Sequence, residues 1–200
     1  MQAPMALIIV DVQNDFCPGG TLAVPDGDRV VAPLSRLAKR FAAAGLPVFA
    51  SRDWHPQDTS HFQSFGGPWP VHCVRDTPGA AFHPDLHLPE TAVVLSKGMD
   101  PAADGYSAFE GISEQNQRLA DLLAVHGVQH LCIGGLATDY CVRATVLEAL
   151  ARGFGVTLLV DAVAGVDLQP GDVERTIREM EAAGARLLPS DTLTLPGLNL

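Results

Sequence analysis

The segment "SRDWHPQDTSHFQSFGGPWPVHCV" gathers Asp53, His55, His61 and His72 within twenty residues. One carboxylate and three imidazoles form a mixed oxygen/nitrogen set suited to Zn²⁺, Mn²⁺ or Fe²⁺, with room left for water or substrate. The alternating D-x-H puts Asp53 and His55 on the same side of an extended segment. Two loop histidines alone more often decorate a surface; this fuller set, beside further reactive groups, reads as a metal site. His83, His87, His126 and His130 lack that context and read as structural or exposed.

A second kind of chemistry collects at "GGLATDYCVRAT". Cys141 falls in the first turn of a predicted helix that Thr138 or Asp139 can cap, where free N–H groups and the helix dipole favour a thiolate. Core packing, disulfide pairing, metal ligation and nucleophilic attack all remain open on that ground alone. Residues at other strand ends narrow the choice. In open parallel sheets ligands bind beyond the carboxyl ends of the strands, and there the chain delivers Asp11, Asp53, Lys97 and the turn leading to Cys141. Singly, each reads as a helix cap or surface charge. Together they suit a nucleophile (Cys141), a general base (Asp11) and a cation (Lys97) that holds both in their reactive ionisation states. Phe16, Trp69 and Tyr106 punctuate the same edge and suit a flat aromatic substrate, although each alone fits a core.

The elements that must position these groups are legible as apolar runs: 5–10, 46–51, 91–96, 129–135, 155–160 and 185–189. Most are continuous rather than alternating, as strands buried on both faces require. Helical spacing links Val30, Leu34, Leu37 and Phe41; Leu119, Leu122 and Leu123; Val142, Val146 and Ala149; and Val173, Ile177 and Met180. Gly45, Gly127, Gly153 and Gly184 stand where C-terminal caps belong. The fold class is therefore α/β: a three-layer sandwich with a six-stranded, mainly parallel, doubly wound sheet in one domain over 1–200. Residues 52–90 break the rhythm, and a long loop inside a compact domain is usually functional.

A formal net charge of −10 without any basic run argues against nucleic-acid or anionic-membrane partners. The four cysteines form neither a CxxC pair nor a disulfide framework. The start, "MQAPMALIIVD", lacks a charged leader, and no apolar stretch spans a bilayer. These features lead to the expectation of a cytoplasmic protein with reduced thiols. Its oligomeric state is left open, a homo-oligomer included.

Taken together, "LIIVDVQNDFCPGGTLAV", "SRDWHPQDTSHF", "WPVHCV", "SKGMD…YSAFEG" and "GLATDYCVRAT" resemble the nicotinamidase/pyrazinamidase branch of the isochorismatase-like cysteine hydrolases, in order from Ala6 to about Asp161. The resemblance implies a catalytic triad of Asp11, Lys97 and Cys141. It implies metal ligands Asp53, His55 and His72, with His61 as a further candidate where some relatives use water. One divalent ion is expected, Zn²⁺ ahead of Fe²⁺ or Mn²⁺. A cis peptide between Leu136 and Ala137 is implied, with the N–H groups of Ala137 and Cys141 as an oxyanion hole. Phe16, Trp69, Tyr106, Leu136 and Ala137 are the implied substrate contacts, and Tyr140 tunes selectivity. The implied reaction converts nicotinamide, and also pyrazinamide, to the acid and ammonia through a cysteine thioester, in NAD salvage.

Three rivals compete. A related amidohydrolase for carbamoyl or ureido substrates would use the same triad, but its acyclic substrates need no metal for a ring nitrogen. A nucleotide-binding module lacks its signature, since "VDVQNDF" follows the first strand instead of GxGxxG. A catalytically dead scaffold sits poorly with intact Asp, Lys and Cys at three strand ends.

Overall fold

Backbone pairing joins the apolar runs into a six-stranded sheet. The computed structural model describes residues 4–196, so the reading of residues 1–3 as lacking a charged leader lies outside the described residues. In chain order the elements are β1 (Met5–Val10), α1 (Val31–Ala43), β2 (Val48–Asp53), β3 (Val93–Lys97), α2 (Leu119–Val125), β4 (His130–Leu136), α3 (Arg143–Ala151), β5 (Gly155–Ala164), α4 (Asp172–Ala182) and β6 (Arg186–Leu188). Strand order is β3-β2-β1-β4-β5-β6, and every neighbouring pair is parallel. The expected doubly wound sheet is present. Its order reverses between β1 and β4, the crevice where such sheets bind ligands.

Alternate residues of β1 feed two cores. Leu7 and Ile9 pack with Leu34, Leu37 and Phe41 of α1. Ile8 and Val10 face the other way, toward Leu119 and Leu123 of α2, Val146 of α3 and Met180 of α4. Helices on both faces complete the three layers, and each such fully buried side chain contributes about 1.5–3 kcal/mol. Among the described residues no helix is long and apolar enough to cross a membrane.

Boundaries differ from expectation where polar residues sit inside strands. β2 runs to Asp53 rather than stopping at Ser51, because Asp53 pairs in register with Lys97 of β3. β5 continues to Ala164 instead of ending at Val160. Asp161 does not stop it, since its carboxylate accepts from the Ser190 N–H and hydroxyl, both at 2.6 Å. The glycine pair of β4 has a steric cause. Gly135 has φ +127°, and a Cβ there would run into the Val10 backbone of β1, so only glycine lets the two central strands close up at the site.

Residues 54–92 contain no strand or α-helix, only two short 3₁₀ turns, Gln63–Phe65 and Pro78–Ala80. They are nevertheless ordered around buried His55, Thr59, His61, Phe62, His72 and Cys73. Isolated bridges His55–Val74 and Phe62–Trp69 pin the excursion.

Candidate active site

Each catalytic candidate stands at the carboxyl end of a strand. Asp11 follows β1 directly, with φ +49°. Its Oδ1 accepts from the Ser51 hydroxyl at 2.7 Å, and its Oδ2 lies 2.8 Å from Lys97 Nζ. Lys97 closes β3 and is fully buried. Besides Asp11, its ammonium pairs with Asp53 Oδ1, donates to the Gly105 carbonyl at 2.8 Å and reaches Cys141 Sγ at 3.4 Å. One cation therefore touches the nucleophile candidate, the base candidate and a metal-ligand candidate.

Cys141 sits in a π-helical turn, Thr138–Val142, ahead of α3. Neither Thr138 nor Asp139 caps that turn through its side chain, contrary to expectation. The Asp139 carboxylate instead accepts from the N–H groups of Val166 and Asp167, at 3.0 and 2.9 Å, and so fastens the loop after β5. The ionisation reading also changes. Burial pushes the Cys141 thiol well above its ordinary value, Lys97 opposes this, and the charges on Asp11 and Asp53 add to the rise. Asp11 is itself raised, to about 6, by burial, against the pull of Lys97. The shift of the thiol runs against the preformed thiolate that a helix start suggests. Lys97, despite burial, is held well above its usual value by Asp11 and Asp53. Burial pulls against the Asp53 carboxyl, yet the Lys97 ammonium keeps it below the usual carboxylate range.

His55, His61 and His72 offer ligand atoms within 4.8 Å of one another. Asp53 Oδ2 borders the group, 3.6 Å from His55 Nε2 and 4.0 Å from His72 Nε2. His55 Nδ1 is hydrogen-bonded to the Gly98 carbonyl at 3.0 Å and His72 Nδ1 to the Pro70 carbonyl at 2.7 Å. Because a carbonyl only accepts, both rings carry their proton on Nδ1 and present Nε2 as a free lone pair. Burial lowers His72 to about 4 and lowers His61 as well, which favours the neutral, ligating form. Two buried carboxylates against one buried ammonium leave a negative balance. His55 Nε2, buried without a hydrogen-bond partner, supplies an orphaned donor atom. The residues fit a divalent cation.

Phe16, Trp69, Tyr106, Ala137 and Cys141 line one cavity with Asp53, His61 and His72. The Trp69 indole N–H donates to the Tyr106 hydroxyl at 2.9 Å, and Tyr140 meets Trp69 edge to face at 4.8 Å between centroids. The Leu136–Ala137 peptide is cis. Leu136, an expected substrate contact, does not line the cavity; as the last residue of β4 it is fully buried in the core on the α1 side.

A family model for the isochorismatase domain matches residues 5–192. The chain belongs to the isochorismatase family. Within this isochorismatase-family setting, it is 44% identical to the nicotinamidase of Escherichia coli (strain K12) over 200 residues, covering 92% of this chain and 94% of that protein. It is 40% identical to the nicotinamidase/pyrazinamidase of Mycobacterium tuberculosis (strain ATCC 25618 / H37Rv) over 191 residues, covering 92% and 98%. The crystal structure of the pyrazinamidase of Pyrococcus horikoshii in complex with zinc matches with TM-score 0.85 and 46% identity, covering 93% of this chain and 99% of that one.

Several residues of this isochorismatase-family site escaped sequence reasoning. Leu22, Val24 and Val166 add apolar lining from loops that carry no periodic signal. Gln13 is fully buried. Its amide donates to the Asp53 and Ala80 carbonyls at 2.8 and 2.9 Å and accepts from the Asp53 N–H at 2.8 Å. Its place in "VDVQNDF" offered a hint. Ser51 was readable too, since it shares a strand face with Asp53. Burial also lifts the remaining thiols, Cys17 to about 11, Cys132 to about 12 and Cys73 well above its ordinary value.

Proposed function

We propose that this chain is a metal-dependent nicotinamidase, hydrolysing nicotinamide to nicotinate and ammonia through a thioester on Cys141, accepting pyrazinamide as well, and serving NAD salvage. The observation that carries the reading is Asp53, a single carboxylate shared between Lys97 and the histidine group inside one aromatic-lined cavity. Asp53, His55, His72 and His61 would hold one divalent ion, Zn²⁺ first with Fe²⁺ or Mn²⁺ as alternatives, which when bound supplies a Lewis-acidic anchor for the pyridine nitrogen.

The protein's own groups carry the covalent steps. Phe16, Trp69 and Tyr106 hold the ring and exclude water. Asp11 takes the Cys141 proton as Sγ attacks the carboxamide carbon. The N–H groups of Ala137 and Cys141 stabilise the oxyanion, each such donor contributing about 3 kcal/mol. Asp11 returns its proton to the departing nitrogen, and ammonia leaves. Asp11 then takes a proton from water as it attacks the thioester carbon, and that proton returns to sulfur as nicotinic acid forms. The acid ionises to nicotinate by losing its proton to solvent or to the released ammonia. Lys97 stays protonated throughout and keeps Asp11 and Sγ in contact.

The alternative, a carbamoyl or ureido amidohydrolase on the same triad, leaves the histidine group without a task. Ammonia release from nicotinamide by the metal-loaded protein, by Cys141→Ala and by a chelator-treated sample tests the reading. The expected result is an active wild type, a loss on the order of 10⁴-fold or more in the variant, and recovery of the chelated sample on adding Zn²⁺. A metal-loaded wild type that leaves nicotinamide intact while hydrolysing a ureido substrate would overturn it.

A further inference from the structure

The third histidine is held differently from the other two. His55 and His72 lean on backbone carbonyls, whereas His61 Nδ1 meets the Asp104 carboxylate at 2.9 Å. Asp104 belongs to the segment after β3, and that short stretch touches both halves of the site. Its Gly98 carbonyl holds His55. Its Pro101 carbonyl accepts from the Ser60 N–H at 2.8 Å, the Ser60 hydroxyl at 3.0 Å and the Thr59 hydroxyl at 3.3 Å, fixing the chain just before His61. Its Gly105 carbonyl accepts a hydrogen bond from Lys97 Nζ.

The Asp104 side chain is 61% exposed while that of His61 is only 4% exposed. A surface carboxylate thus reaches a buried ring that lies 4.9 Å from the His55 ring and 5.5 Å from the His72 ring, between centroids. A carboxylate accepts and cannot donate, so the His61 proton stays on Nδ1 and the Nε2 lone pair is left for the cluster. An anionic acceptor also makes Nε2 a stronger donor than a carbonyl does.

We propose that Asp104 is a positioning residue that fixes His61 in the Nε2-presenting tautomer and orientation, and so makes His61 a direct ligand of the metal; this rests on the metal-dependent reading above. Asp104 touches neither substrate nor metal and acts only through His61. Zn²⁺ affinity, measured by chelator competition on the metal-free full chain, and the visible absorption of the Co²⁺-loaded protein test it without any turnover. Asp104→Ala is expected to weaken Zn²⁺ binding by about 10–100-fold and to alter the Co²⁺ spectrum. Asp104→Asn, which keeps an oxygen acceptor, recovers part of the loss. In a His61→Ala background, Asp104→Ala adds nothing, because its only route to the metal is gone. Unchanged affinity in Asp104→Ala, or losses that add in the double variant, would overturn the role of Asp104 while leaving the metal reading standing. A wild type that binds no Zn²⁺ at stoichiometric levels would overturn both.

Discussion

Ser51 is fully buried and donates its hydroxyl proton to Asp11 Oδ1 at 2.7 Å. That bond stabilises the carboxylate and lowers Asp11, working against the burial that lifts it to about 6. In Ser51→Ala the bond is lost while the pair with Lys97 remains. A hydrogen bond to a charged group contributes about 1.5–3 kcal/mol, and one pKa unit corresponds to about 1.4 kcal/mol. Taking the lower bound, Asp11 rises by about one unit. The sign for activity follows from the proposed role: Asp11 must be ionised to take the thiol proton, so a higher pKa moves the acid limb of kcat/KM to higher pH. Near pH 6 the ionised fraction falls by roughly fivefold, whereas well above the limb the variant matches wild type. Ammonia release at low nicotinamide, followed from about pH 5 to about pH 9, reads the free-enzyme limb directly. A limb that stays in place, or moves to lower pH, would show that Asp11 is not the base.

Lys97→Met leaves two carboxylates buried without their cation; it is expected to abolish turnover and to cost about 3–5 kcal/mol of stability, measured by urea unfolding. Unchanged stability would mean that the ammonium is dispensable to the fold. Gly98→Ala meets a double obstacle, since φ is +63° and the new Cβ would run into the His55 ring. It is expected to lose about 1–3 kcal/mol together with Zn²⁺ affinity, and wild-type values for both would refute that account.

Much of this was legible because burial on both faces writes itself as continuous apolar sequence. β1 reads "MALIIV" with every position buried, and from the strands the topology delivers Asp11, Lys97 and the turn before Cys141 to one edge. What the sequence did not carry depends on where side chains turn after the strands stop. Asp53 reads as a metal ligand, yet its second oxygen serves Lys97, a consequence of β2–β3 register. Asp139 looks like a helix cap but fastens the loop after β5. The helix-start argument favours a thiolate at Cys141, and full burial beside two carboxylates works against it. Leu136 belongs to the core rather than the cavity because it ends a strand whose side chains pack inward. Asp104 gave no signal, since only the path of the loop after β3 brings it to His61.

Asp53 and Lys97 are direct partners across β2 and β3, and Ser51 partners Val10, the residue before Asp11. Successive strand residues point to opposite faces, so a slip of one position would swing either charge into the apolar layer on the wrong side. Parallel strands rich in Val, Ile and Leu otherwise discriminate poorly between neighbouring alignments. The buried ions therefore mark the alignment of β1, β2 and β3, because a slip among these strands leaves an unmatched charge. The chemistry and the alignment of these three strands rest on the same few atoms.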